Sequence, residues 1–231
     1  MYKGETNNME NIKYYDDIEI TLPVDIYIGL NKASREFEMA VNDMYYSIMN
    51  GGKFKSQFFD EMFKDAFDNH FKYSDKRDQI SNEYVIPEIK KVYNVSDDKI
   101  ISNYWNVNFD GSYVCHITNI EISDNNQTVL YSGPVDDKWI NDIAYTHAKI
   151  EIFDNLIGKL NSSIKTVTDD RIKAEYKAIR EARITWSMSE DESRAKLLNE
   201  VIKPIIEGHD PGRCVWNLNP VDKTLTITET V

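Results

Sequence analysis

Two histidines and two cysteines have the types, though not obviously the spacing, of a zinc site. Cys115 and His116 are adjacent, and His209 stands five residues before Cys214 in the run His209-Asp210-Pro211-Gly212-Arg213-Cys214. Zinc takes thiolate and imidazole ligands in a tetrahedral set. Cys115 and His116 fall in a stretch with strand pattern, where successive side chains point to opposite faces, so they cannot share one ion without a bulge. The same geometry argues against a Cys–His nucleophilic dyad between these neighbours. The expectation is a buried Cys115, a hydrogen-bonded strand histidine, and no metal and no cofactor. Acids recur in pairs at Asp16-Asp17, Asp97-Asp98, Asp136-Asp137 and Asp169-Asp170. Carboxylate pairs can hold Mg²⁺ or Ca²⁺, but each pair precedes or opens a predicted element. Helix capping and the macrodipole account for acids there.

Several catalytic frameworks are missing from the sequence. It contains no Gly-x-Gly-x-x-Gly after a strand, no Gly-x-x-x-x-Gly-Lys-Ser/Thr, no Gly-x-Ser-x-Gly and no His-Glu-x-x-His. The backbone amides that cradle phosphate in glycine-rich loops therefore have no source. What the sequence offers instead is aromatic surface near its ends. Tyr2, Tyr14, Tyr15 and Trp216 are candidate partner-binding residues, because Tyr and Trp serve as interface anchors.

The elements that must position these groups can be read from periodicity. Ile18, Ile20, Leu22, Val24, Ile26 and Ile28 alternate with Glu19, Thr21, Pro23, Asp25 and Tyr27, which predicts one half-buried strand, at a sheet edge or bulged because Pro23 cannot donate to a ladder. Asn31 then reads as the cap of a helix reaching Asn50, closed by Gly51-Gly52. A second helix starts at Ser56 with the stripe Phe59, Met62, Phe63, Ala66, Phe67 and Phe71, read as core packing. A third helical pattern spans 78–93 and is split by Pro87. Strands follow over 100–109, 112–122 and 127–131, joined by Asp110-Gly111 and Asp124-Asn125-Asn126, as a three-stranded antiparallel meander. Helices resume, capped by Asp136 or Asp137, by Thr168, and by a box over Ser189–Glu192. The last of these is bent or ended by Pro204 and closed by Gly208. A hairpin over 213–218 and 223–230 finishes the chain. The fold class is therefore helix-rich α+β, with an N-terminal strand, a three-stranded meander and a C-terminal β-hairpin. Residues 1–16 read as a tail and 17–231 as a single domain, with a possible sub-division near 132–135.

Composition sets the broad class. Of 231 residues 41% are apolar, with 14 Tyr, 9 Phe and 4 Trp, enough aromatic area for a real core. Net charge is −12, from 39 acidic against 27 basic residues, and such a surface repels phosphate backbones and anionic headgroups, which argues against nucleic acid and membrane as partners. Two cysteines in a chain of this length suggest a reducing compartment, the bacterial cytoplasm or a virion assembled there. Abundant Asn, Ile, Lys and Tyr beside scarce Gly and Pro fit an AT-rich bacterial or phage genome. The resulting expectation is a non-enzymatic protein that binds other protein subunits as a homo- or hetero-oligomer, such as a phage head–tail or tail component. The alternatives are an acidic inhibitor that masks a basic groove, and an enzyme whose site assembles only in three dimensions.

Overall fold

The structure, a computed structural model, describes residues 12–124 and 127–230; Tyr2 and the rest of the first eleven residues lie outside the described set. Helices and antiparallel sheets combine in an α+β fold, as expected. The chain forms two compact units, residues 12–34 with 73–124 and residues 35–72 with 127–230.

In the first unit, β1 (Lys13–Tyr15), β2 (Ile18–Thr21), β3 (Lys99–Val107) and β4 (Val114–Asp124) make one antiparallel sheet. β3 runs along one side of β4, from Lys99 opposite Asp124 to Val107 opposite Cys115. On the other side β1 pairs with Ile120–Ile122 and β2 with Val114–Ile117. Cys115, Ile117, Ile120 and Ile122 are all buried, although strict alternation would put the last two on the opposite face from the first two. The parity changes at Asn119, whose φ is 52°. There the β3–β4 register shifts, with Ser102 facing Glu121 and Tyr104 facing Thr118. The added residue is a β-bulge, and asparagine tolerates its left-handed backbone.

The alternation over 18–28 resolves differently from the predicted strand. Only Ile18–Thr21 is strand, and α1 begins at Val24 and runs to Met49. Pro23 stands just before it and accepts the first helical bond, from the Tyr27 amide at 3.0 Å. Tyr27, expected on the polar side, is buried, whereas Val24 and Ile28 are exposed. Tyr27, Leu30, Ala33, Phe37, Ala40, Val41, Met44 and Ile48 form a stripe with helical period, longer than the run of alternation, and burying it outweighs the local β-pattern. Asn31 is consequently inside α1 and caps nothing. The Tyr27 hydroxyl instead clamps the β3–β4 loop, donating to the Asn108 carbonyl at 3.2 Å and accepting from the Gly111 amide at 2.9 Å.

α2 (Gln57–Ile80) starts where expected, with the Ser56 hydroxyl accepting from the Phe59 amide at 3.2 Å. It continues through a π-turn (Ser81–Val85) into α3 (Ile86–Tyr93), which ends at left-handed Asn94. Proline supplies no amide hydrogen and its ring crowds the preceding turn, so a helix that keeps Pro87 must widen before it. The Ile86 amide accordingly bonds the Ser81 carbonyl, five residues back.

In the second unit, β5 (Gln127–Pro134), β6 (Cys214–Asn219) and β7 (Thr224–Thr230) form a separate sheet in the order β5-β7-β6. The three strands over 99–134 follow one another as the pattern implied, but β5 leaves β4 and pairs with β7 along its whole length. The terminal hairpin is present, its turn held by Asn219 Oδ1, which accepts from the Val221 and Asp222 amides. Asp136 caps α4 (Asp137–Trp139), which runs through a π-turn (Ile140–Tyr145) into α5 (Thr146–Ile164). α6 (Asp170–Leu197) is capped by Asp169, not Thr168, and passes unbroken through Ser189–Glu192, so no capping box opens there. A third π-turn (Leu198–Ile202) precedes α7 (Lys203–Ile205), again just ahead of a proline, Pro204. α1, α2, α5 and α6 bury Met44, Ile48, Phe59, Ala66, Ile152, Phe153, Leu156 and Leu160 together. The β5–β7 sheet packs Leu225 and Ile227 against Trp139, Ile143, Leu197 and Ile202.

Asn119→Gly should leave stability within roughly 0.5 kcal/mol, since glycine takes the same backbone freely. Asn119→Val should cost about 1–2 kcal/mol, the penalty of a branched side chain in left-handed backbone. Urea denaturation of the two variants measures the contrast.

Candidate functional site

β4 turns one face to the core of its unit and the other outward, and the register places the outward side chains in rows. Tyr14, Glu121 and Ser102 form one row across β1, β4 and β3, Thr118 and Tyr104 the next, and Glu19, His116 and Asn106 the last. Tyr14 is 73% exposed and Tyr104 59%. In the last row His116 Nδ1 lies 2.9 Å from Glu19 Oε1, a cross-strand pair. Among the described residues β1, β2 and β3 each pair only with β4, so neither edge bonds a further strand, although the Trp105 carbonyl of β3 accepts from Arg77 Nη2 at 3.4 Å.

A second polar feature lies in the other unit, on α2, α5 and α6. His70 Nε2 sits 2.8 Å from Glu151 Oε2, and His147 Nε2 lies 3.8 Å from the other oxygen of the same carboxylate. His147 Nδ1 is 3.4 Å from Glu190 Oε2, and Arg194 Nη2 is 2.7 Å from Glu190 Oε1. The string therefore alternates base and acid from His70 through Glu151, His147 and Glu190 to Arg194. Glu190 is buried, which such a charge tolerates only when paired on both oxygens. Since a carboxylate accepts, His70 Nε2 donates to Glu151, and its Nδ1 is buried with no hydrogen-bond partner. The hydrogen bond from His70 holds the Glu151 carboxyl below its ordinary range; burial opposes this, the charges of His70 and His147 add to it, and Asp154 opposes it. These groups can hold a proton and tie three helices together. Sequence reading missed the string because His70 is far from the rest in the chain. The pairs His147/Glu151 and Glu190/Arg194, each spaced one helical turn, were the available signal.

The residues singled out from sequence are dispersed. Tyr14 lies on the open sheet face. Tyr15 is half-buried with its ring 4.5 Å from that of Tyr93. Trp216 is half-buried in the core beside β7, with the Arg194 guanidinium 5.4 Å over its ring. Cys115 is buried and His116 points to the opposite face. His209 pairs with Glu229 at 2.7 Å, and the Cys214 thiol donates to the Asp210 carbonyl at 3.3 Å. Asp136 and Asp169 cap helices, and the hydrogen bond from Arg171 holds Asp169 down to about 2. Among the described residues no group of three or more His, Cys, Asp or Glu is placed to hold a metal ion, and no helix is long and apolar enough to cross a membrane. Comparison with known proteins gives no match to a family model, a curated protein or a solved structure.

Glu151 has its folded pKa below the unfolded value, so its pairing stabilises the fold above the unfolded carboxylate range and that contribution disappears as pH falls through the folded pKa. Stability should therefore drop on acidification below about pH 4.5, and Glu151→Gln should flatten that part of the profile while lowering stability at neutral pH. Chemical denaturation at a series of pH values reads both effects. Burial pushes the Cys115 thiol up to about 12, while burial and the negative charges of Glu229 and Asp210 raise that of Cys214. Thiolate is the reactive form, so with Ellman's reagent at pH 8 Cys115 should stay silent in the folded protein and Cys214 react slowly. Both should react at once in denaturant.

Proposed function

We propose that this chain is a non-enzymatic protein–protein interaction or assembly subunit that recruits other protein subunits through the outward face of the β1–β4 sheet. The observation that carries the reading is the presence of two strongly exposed tyrosines, Tyr14 and Tyr104, on one face of a sheet whose edges bond no further strand among the described residues. A tyrosine buries roughly 150–250 Å² on association and orders few rotatable bonds. A free strand edge adds main-chain hydrogen bonds to a partner strand. The acidic surface keeps nucleic acid away while leaving apolar and hydrogen-bonding contacts available. The composition fits an origin in a phage or its bacterial host, with the subunit acting in the cytoplasm or as a virion component such as a head–tail or tail assembly protein.

Sedimentation equilibrium of the full chain over a range of concentrations should give a mass above the 26.9 kDa of one copy. Tyr104→Asp should return the mass to that value with an unchanged circular dichroism spectrum, and Tyr104→Ala should weaken association by roughly 2 kcal/mol. A strictly monomeric protein that retains no subunit partner in pull-downs would refute the proposal.

A further inference from the structure

Unit two contains a cavity of about 450 Å³ at the start of α2, against α5 and α6. Its apolar wall is Phe54, Phe59, Phe63, Phe153 and Trp186. Trp186 meets Phe153 edge-on with ring centroids 4.6 Å apart, and Phe54 meets Phe59 the same way at 5.3 Å. Phe59 and Phe153 are covered by these neighbours, so the accessible part of the wall is half-buried Phe54, Phe63 and Trp186. The wall is held in place before any ligand arrives. Phe59 and Phe153 are core residues, and the Phe54 amide donates to Glu175 Oε2 of α6 at 2.9 Å, which fixes the loop ahead of α2.

The charge at the cavity has a definite sign. Lys55 and Lys149 line it against one acid, Asp60, and neither lysine makes an ion pair among the described residues. The volume is within the range of about 300–1,000 Å³ typical of small-molecule sites, which combine mostly apolar walls with a few placed polar groups. The geometry points to a binding site for a small aromatic carboxylate of two or three rings, its rings against Phe54, Phe63 and Trp186 and its carboxylate on Lys149 and Lys55. This site is independent of the open sheet face, so either can fail without the other.

The probes are 8-anilinonaphthalene-1-sulfonate, whose sulfonate stands for the carboxylate, and N-phenyl-1-naphthylamine, which has the same rings and no charge. Fluorescence titration of the full, folded chain should give saturable one-to-one binding of the anionic probe and weaker binding of the neutral one. The double variant Lys55→Gln/Lys149→Gln, whose changes are on the surface, should lower affinity for the anion about tenfold and leave the neutral probe unchanged. Trp186→Leu should weaken both, with near-ultraviolet circular dichroism confirming that the fold persists. The inference is overturned if the anionic probe does not saturate at one site, if the neutral probe binds as tightly, or if the double lysine variant keeps full affinity for the anion.

Discussion

Strand β4 has to keep one side chain set apolar along eleven residues while bonding to neighbours on both edges, and most of unit one follows from how it does so. A strand has a strict period of two, so Cys115 and Ile117 would bury their side chains while Ile120 and Ile122 pointed to water. The left-handed Asn119 adds a residue and restores the face. The same bulge is where β1 gives way to β2 along the β4 edge, so a single backbone feature sets the register of three pairings. It also decides the outward side. With the parity corrected, Tyr14, Glu121, Thr118, Tyr104, Glu19 and His116 share a continuous surface, and the core and the proposed interaction face are two sides of one constraint.

The helices solve a different problem. Two prolines, Pro87 and Pro204, lie where the apolar stripe asks for helix to continue, and both are preceded by π-turns that lodge them without breaking the rod. Charged groups that helical packing brings inward are satisfied in strings. Glu190 is shared by His147 and Arg194, and Glu151 by His70 and His147, so partner groups compensate the desolvation of each carboxylate. Lys55 and Lys149 belong to no such string. Both flank the aromatic cavity.

Much of the architecture was legible in the sequence because the signals were local. Ser56 capping α2, Gly51 ending α1, Asp136 opening α4 and the Asn219–Asp222 turn each depend on residues within four positions of one another, and each formed as its chemistry implies. The opposite faces of Cys115 and His116 likewise follow from strand geometry alone. Where two local readings competed, the sequence could not choose. Residues 18–28 satisfy a strand of period two, and their apolar stripe, continued to Ile48, also satisfies a helix. The outcome turned on burying Tyr27 and Leu30 against the sheet of unit one.

Local chemistry thus determined where elements start and stop, the helix-rich α+β class and the acidic character of the surface, since those depend on side chains a few bonds apart. Only the tertiary structure decided that β5 pairs with β7 instead of β4, that His70 meets Glu151 across 81 positions, and that Phe54, Phe153 and Trp186 line one open cavity. Contacts between residues so distant in the chain carry no local signal. They arise because an apolar face or a buried charge must find a complementary group somewhere, and which group that is depends on how the whole chain packs.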